Sequence, residues 1–498
     1  MKRIRSYSFI ITFIVTILFY TAHLQAQSLK LEVKEHVLKN GLKILMFEKH
    51  DVPIFSAVIA YKVGSVNERP GITGVSHLLE HMMFKGTKLF GTKDYEAEEP
   101  IIKKIDELEL QLAEEKTKGK NADTEKIKSI EDELAKLFEK QREYIVKDEL
   151  WSLYLRHGGT GLNASTANDL TNYYVSLPSN KLELWAFIES DRIQNLVLRE
   201  FYPERDVVME ERRLRTENSP FGLFLEQLNA VSYIAHPYGW PVIGWMSDIQ
   251  NIAKEQTLEY FKRYYAPNNA VISIAGDINP EEVIKIVEKY FSNIPSQPAP
   301  PAVLTVEPEQ LGERRVYVEY DASPRLAVAY HMPAIGQPDQ YVLDVIEAIL
   351  SHGRTSRLYK SMIEEKRIAV MAHANAGLGK YPDTFTFFLT PRQPHTTDEV
   401  EAALYEEIEK LKTTPPTEWE LQKIKNQLEA DFIRSLESAA GLSAEIAYYE
   451  AIYDWRYINT LIDNIKTVTA EDVMRIAKQY FTKTNRTVAI MVKKEKVQ

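Results

Sequence analysis

The chain ends the same way twice. Tyr264-Tyr265 is followed by Asn269-Ala270-Val271-Ile272-Ser273-Ile274, and Tyr480-Phe481 by Asn485-Arg486-Thr487-Val488-Ala489-Ile490. An amphipathic helix with an acidic start precedes each ending, near Glu255 and near Glu471. A helix, an aromatic pair and an apolar strand that recur once point to a duplicated domain. Between the two copies Pro295, Pro298, Pro300, Pro301 and Pro308 stiffen and extend the chain, so residues 296–310 read as a linker. The expected division is one domain over 27–295 and a second over 311–498.

Composition narrows the chemistry. The 498 residues include no cysteine, which excludes disulfides, thiolate metal sites and a cysteine nucleophile. A net charge of −10 gives no support for a nucleic-acid partner. At the N-terminus Lys2, Arg3 and Arg5 precede an apolar run from Phe9 to Tyr20 that is short for a membrane span. Ala26 then stands in a small-residue tract that suits signal-peptidase cleavage. Residues 1–26 are therefore expected to be a signal peptide, the protein periplasmic or secreted, and the mature chain without a membrane span.

Local patterns supply the next layer. Asn40-Gly41 between Val37-Leu38 and Leu42-Ile44-Leu45 predicts a two-residue hairpin, and Ile54 to Tyr61 a buried strand. Residues 94–148 differ in character. Ile101, Ile105, Leu108 and Leu112 recur every three or four residues, as do Ile127, Ile130, Leu134, Leu137, Gln141 and Tyr144. The polar tract Lys116–Asp123 separates the two series, so the spacing predicts an antiparallel helical hairpin with a coiled-coil-like seam. Packing of this kind is local. Contacts with the rest of the chain should be few, and deleting about residues 96–146 should leave the remainder intact.

His77-Leu78-Leu79-Glu80-His81 carries the chemistry. Residues four apart share a helix face, so His77 and His81 can direct two imidazoles at one ion, and zinc accepts neutral imidazole nitrogen readily. Glu80 stands beside that ion, placed to take a proton from a water activated by the metal. The order is H-x-x-E-H, the reverse of H-E-x-x-H. A catalytic zinc needs a third protein ligand. The best donor segment is Glu204-Arg205-Asp206-Val207-Val208-Met209-Glu210-Glu211-Arg212-Arg213. Glu204 and Glu211 fall two helical turns apart on one face, so one can bind metal while the other orients a histidine through its second nitrogen. From the residues alone, Glu210 and Glu211 are equivalent choices for the ligand. Taken by itself, such an acidic-basic helix is most simply a solvated face.

Gly74–Thr87, Leu162-Asn163-Ala164-Ser165-Thr166, Glu204–Glu211 and Gly353–Tyr359 together closely resemble the M16 (pitrilysin/insulinase-like) zinc metallopeptidases, in their bacterial two-domain form near the mitochondrial processing peptidase branch. The resemblance implies an α+β fold of two homologous domains closing as a clamshell, and one Zn2+ per chain. It assigns His77, His81 and Glu211 as metal ligands, Glu80 as the catalytic residue and Glu204 as the support. The family places its distal glutamate much closer to the motif, and residues 94–148 account for the excess, so the hairpin reads as an insertion. The resemblance also implies a zinc endopeptidase whose peptide substrate adds as a strand to an edge that includes Asn163 and Ala164. The second half has no H-x-x-E-H. Its tract Glu364-Glu365-Lys366-Arg367-Ile368-Ala369-Val370 resembles the family's R-E-K-x-G-L-A-Y stretch without the tyrosine. That departure implies a dimer, either with a homologous non-catalytic M16-type subunit or with a second copy of the chain.

Overall fold

Asn40-Gly41 does turn the chain, but in a longer loop than expected. Strands β1 (Lys34–Val37) and β2 (Lys43–Glu48) pair antiparallel. The Gly41 amide donates to the Leu38 carbonyl at 2.9 Å, and the Leu38 amide donates to the Leu42 carbonyl at 2.9 Å. Three residues therefore make the turn, with Gly41 at φ +87 as its left-handed bulge. A Cβ there would also stand 2.7 Å from the Asn268 Cβ, so glycine is required twice over. The computed structural model describes residues 30–494, and the expected signal peptide lies outside the described residues.

Two mixed sheets are built to one plan. The first runs β1-β2-β6-β3-β5-β4, with β3 at Ile54–Tyr61, β4 at Thr160–Thr166, β5 at Thr171–Pro178 and β6 at Ala270–Gly276. The second runs β7-β11-β8-β10-β9, with β7 at Arg314–Tyr320, β8 at Arg325–Met332, β9 at Ala369–Ala376, β10 at Asp383–Pro391 and β11 at Arg486–Lys493. With β1 set aside, the orders match strand for strand. The single parallel pair is β2 with β6 in one sheet and β11 with β7 in the other. The repeated asparagine explains the repeated ending. Asn269 Nδ2 donates to the Tyr264 carbonyl at 2.9 Å and to the Lys62 carbonyl at 3.4 Å. Asn485 Nδ2 donates to the Tyr480 carbonyl at 2.8 Å and to the His331 carbonyl at 2.9 Å. Each side chain closes the helix-to-strand turn and ties it to the end of the neighbouring strand, satisfying buried carbonyls that would otherwise go unpaired.

The halves exchange helices. Ala439–Ile452, from the second half, lies across β3 and β6 of the first sheet; Pro220–Ser232, from the first half, lies across β7 and β11 of the second. Val58, Ala60, Val271 and Ala275 consequently belong to the second half's core. Phe224 and Leu228 pack on Ala327, Ala329, Ala489 and Met491. Alanines on those strands leave room for a helix to lie close. The proline-rich tract between the halves has no regular structure. It is fastened by Glu307, whose carboxylate accepts the amides of Ile234, Ala235 and His236.

The hairpin forms with arms Tyr95–Thr117 and Thr124–Arg142, N-capped by Asp94 and Asp123. Ile101, Ile105, Leu108 and Leu112 meet Ile130 and Leu134 along the seam. In the second half the matching connection, from helix Pro338–Ser351 to the turn Tyr359–Glu365, is short. The expectation of few contacts with the body is overturned. Glu98, near the base of the first arm, is fully buried and receives the Arg199 Nε at 2.8 Å and the Gln141 amide at 3.1 Å. The Arg199 guanidinium also donates to the carbonyls of Lys85, Thr87 and Phe90, in the loop that leaves the motif helix. Asp106 pairs with Lys254 at 2.9 Å. Sequence periodicity reports the seam between the arms and is silent on these distant partners. Removing residues 96–146 removes Glu98 and strands a buried arginine. Glu98→Ala is expected to destabilise the protein by about 3–5 kcal/mol, the usual cost of a buried charge left alone, read as a lower denaturant midpoint. An unchanged midpoint would show that the hairpin base does not anchor the motif loop.

Candidate metal centre

The short helix Val75–Met82 carries both histidines. Its first turn is held by Glu68, a buried carboxylate that accepts the amides of Gly74 and Ser76, each at 2.8 Å. These bonds answer two of the helix's unpaired N–H groups. Leu78, Leu79 and Met82 are buried, which sets the rotation of the helix and turns His77, Glu80 and His81 toward a common cleft.

Helix Phe201–Arg212 crosses it and delivers the carboxylates. Glu211 Oε2 lies 3.3 Å from His81 Nε2 and 3.6 Å from His77 Nε2. The two imidazole rings stand 4.8 Å apart at 72°. One ligand atom from each of His77, His81 and Glu211 falls within 4.8 Å of the others, and no other such cluster exists among the described residues. Two nitrogens and one oxygen, converging with one side open to the cleft, are the donors a catalytic zinc takes. Glu210 points away; it is exposed and pairs with Arg213. Geometry therefore separates the two glutamates that the sequence left equivalent.

A second layer of contacts orients His81 and Glu211, whereas His77 Nδ1 has no partner among the described residues. Glu204 Oε1 lies 2.9 Å from His81 Nδ1, while its Oε2 takes Lys85 Nζ at 2.6 Å. Arg215 holds Glu211 Oε1 at 2.8 Å, which leaves Oε2 toward the histidines. Thr166, on β4, donates to Glu80 Oε2 at 2.5 Å. Burial, then the neighbouring His81, holds His77 well below the ordinary imidazole range. His81 is pulled down by burial, but its bonds to Glu204 and Glu211 outweigh this and lift it to about 9. Burial raises Glu80 despite the Thr166 bond. A divalent cation entering the cluster would displace the His81 Nε2 proton that faces Glu211, while Glu204 would keep the Nδ1 proton and hold the ring.

The remaining expected residues line the same cleft, of about 610 Å³. Asn163 and Ala164 sit on β4, which among the described residues is paired only to β5 and so presents a free edge. The opposite wall comes from Leu225, Glu226 and Asn229 of the exchanged helix and from Pro241 to Ile243. Between the carboxylate helix and that wall the chain opens into a π-turn, Arg213–Glu217. The turn is pressed so close that a Cβ on Gly222 would stand 2.1 Å from the Arg215 carbonyl. Sequence reading missed the roles of Thr166, Lys85 and Arg215. The last two stand four residues after His81 and Glu211, and that helical spacing was the available signal. In the second half Arg367 is exposed, at φ 56, and among the described residues its side chain donates only to the Glu364 carbonyl.

Comparison with known proteins agrees with this architecture. Residues 43–108 match the family model described as Insulinase (Peptidase family M16), and residues 251–428 match Peptidase M16 inactive domain. The chain is 30% identical over 481 residues to Zinc protease PqqE of Helicobacter pylori, covering 94% of this chain and 95% of that protein. It is 22% identical over 466 residues to a probable mitochondrial-processing peptidase subunit beta of Arabidopsis thaliana, covering 90% and 76%. The crystal structure of a protease from Helicobacter pylori superposes with a TM-score of 0.78 at 28% identity, covering 93% of this chain and all of that one.

If Glu204 orients His81, Glu204→Gln should weaken zinc binding about 10- to 100-fold, the usual cost of losing an outer partner, while Glu210→Gln leaves it unchanged. Competition against a chromogenic chelator reads both. Equal affinities for the two variants would remove Glu204 from the site.

Proposed function

The chain belongs to the insulinase-type M16 peptidase family, and we propose that it is a zinc-dependent endopeptidase acting on peptides or unfolded polypeptides. One observation carries the reading: His77, His81 and Glu211 converge in a cleft that also holds Glu80 and the free edge of β4. Zinc, when bound, supplies Lewis acidity toward water and toward a peptide carbonyl.

The chain's own residues do the rest. Glu80 takes the proton of the attacking water and returns it to the leaving amine, and burial, which raises its carboxyl above the ordinary value, favours holding that proton between the two transfers. Thr166 fixes Glu80 Oε2 and leaves Oε1 for the proton. The edge of β4, with Asn163 and Ala164, takes the substrate backbone as an added strand, which binds many sequences through main-chain bonds. Glu204 and Arg215 hold His81 and Glu211 so that little rearrangement accompanies the reaction.

The second half supplies no further donor cluster among the described residues, which fits one zinc per chain. The missing tyrosine after Arg367 motivates a dimer with a homologous non-catalytic subunit, or with a second copy, that provides donors to the reacting carbonyl. Export by residues 1–26 would place the enzyme in the periplasm or outside the cell.

Glu80→Gln tests the mechanism. Zinc content, by metal analysis, is expected to stay at one per chain, while peptide turnover falls about 10²- to 10⁴-fold, the usual contribution of a general base. Near-normal turnover in that variant would sink the proposal.

A further inference from the structure

The second half keeps the counterpart of the metal cleft, converted to a different chemistry. Helix Pro338–Ser351 stands where the motif helix stands in the first half, β9 where β4 does, Glu418–Ser435 where the carboxylate helix does, and Ala439–Ile452 where the exchanged helix does. These elements, together with Tyr457 and the helix Ile458–Thr467, line a cavity of about 470 Å³. Its walls are largely apolar, including Ala348, Phe432, Leu461 and Ile462. Into it face Asp344 and Glu347, one turn apart on the helix.

The two carboxylates lack a counter-charge. Asp344 Oδ1 accepts the Gln340 amide at 2.9 Å, and Glu347 Oε2 accepts the Ala376 amide at 3.2 Å. No Lys, Arg or His pairs with either among the described residues. His352 is taken by Asp431 at 3.2 Å, and burial keeps His373 below its ordinary value. A third group also waits. Tyr457 lines the cavity, is only 3% exposed, and its hydroxyl has no hydrogen-bond partner among the described residues. Burial pushes Asp344 up to about 7, with Glu347 adding to it, and pushes Glu347 up to about 6. Half-buried acids without a counter-charge in an apolar cavity are costly, and a cation entering between them would offset that cost.

We propose that this cavity binds an organic cation on an apolar stem, an alkylguanidinium or alkylammonium, through Asp344, Glu347 and Tyr457. In a peptidase it would receive a basic side chain of a peptide lying along β9; that clause rests on the function proposed above, and the cation site itself does not.

The probe is n-butylguanidinium, titrated calorimetrically into the purified full chain near neutral pH. Binding is expected in the intact protein, in Glu80→Gln and in protein stripped of metal, since none of these alters the cavity. Asp344→Asn combined with Glu347→Gln should weaken it about thirtyfold or more, as expected for loss of a desolvated charge partner. Each single substitution is measured as well, so the result does not hang on the double variant folding. No binding to the intact protein, or binding that none of these variants weakens, would overturn the proposal. Because the readout needs neither zinc nor turnover, its failure is distinct from failure of the peptidase reading.

Discussion

A mixed sheet has two apolar faces, and here neither half covers both faces of its own sheet. The first sheet's open face is closed by Ala439–Ile452, and the second sheet's by Pro220–Ser232. The contact is electrostatic as well as apolar. Glu450, only 4% exposed on the incoming helix, pairs with Lys43 of β2 at 2.7 Å and with Lys62, the residue after β3, at 3.2 Å. A buried glutamate with two lysine partners is tolerated only in one seating of the helix, because any slip leaves a charge unpaired. Exchange of this kind makes the stability of each half depend on the other. The two halves are therefore interlocked in packing despite the linker between them.

That dependence reaches the metal centre. The helix Pro220–Ser232 points Phe224 and Leu228 into the second sheet and Leu225 and Asn229 into the cleft. Glu226, on the same helix, binds the buried Arg212 at 2.9 Å, and Arg212 immediately follows Glu211. Glu211, the third member of the candidate donor cluster, is thus held from behind by a helix whose own seat is in the other half. The π-turn Arg213–Glu217 is the adjustment that lets the chain pass from the carboxylate helix to this one, and Gly222 is the residue that permits the close passage.

What the sequence reveals follows the range of the interactions. The duplication was readable because the turn that closes each repeat is local: the same asparagine answers the same carbonyl five residues back. The arms of the hairpin were readable because a helical seam repeats every three or four residues. His77, Glu80 and His81 were readable because one helix carries all three. Glu211 was separable from Glu210 only by family resemblance, since the choice depends on which face of a crossing helix meets the motif. Arg199 with Glu98, the bulge at Gly41 and the cavity at Asp344 were not readable at all. Each depends on residues brought together from distant parts of the chain or on the shape of a single turn.

The base of the cleft shows how the two halves meet at an atom that matters. Thr166, which holds Glu80, is the last residue of β4. The turn that follows carries Asp169, a buried carboxylate that accepts the hydroxyl of Tyr238 and, at 3.0 Å, the amide of Lys380 in the β9–β10 loop of the second half. Tyr238 in turn accepts the Tyr381 amide at 3.2 Å. The hydroxyl that fixes the proposed base is therefore placed by a strand whose end is bolted to the opposite half. A hydrogen bond of 2.5 Å can serve catalysis only if its donor does not drift, because positioning within about 0.5 Å is what preorganisation demands. The second half, without a donor cluster of its own among the described residues, thus fixes the edge against which the Glu80 carboxylate is set.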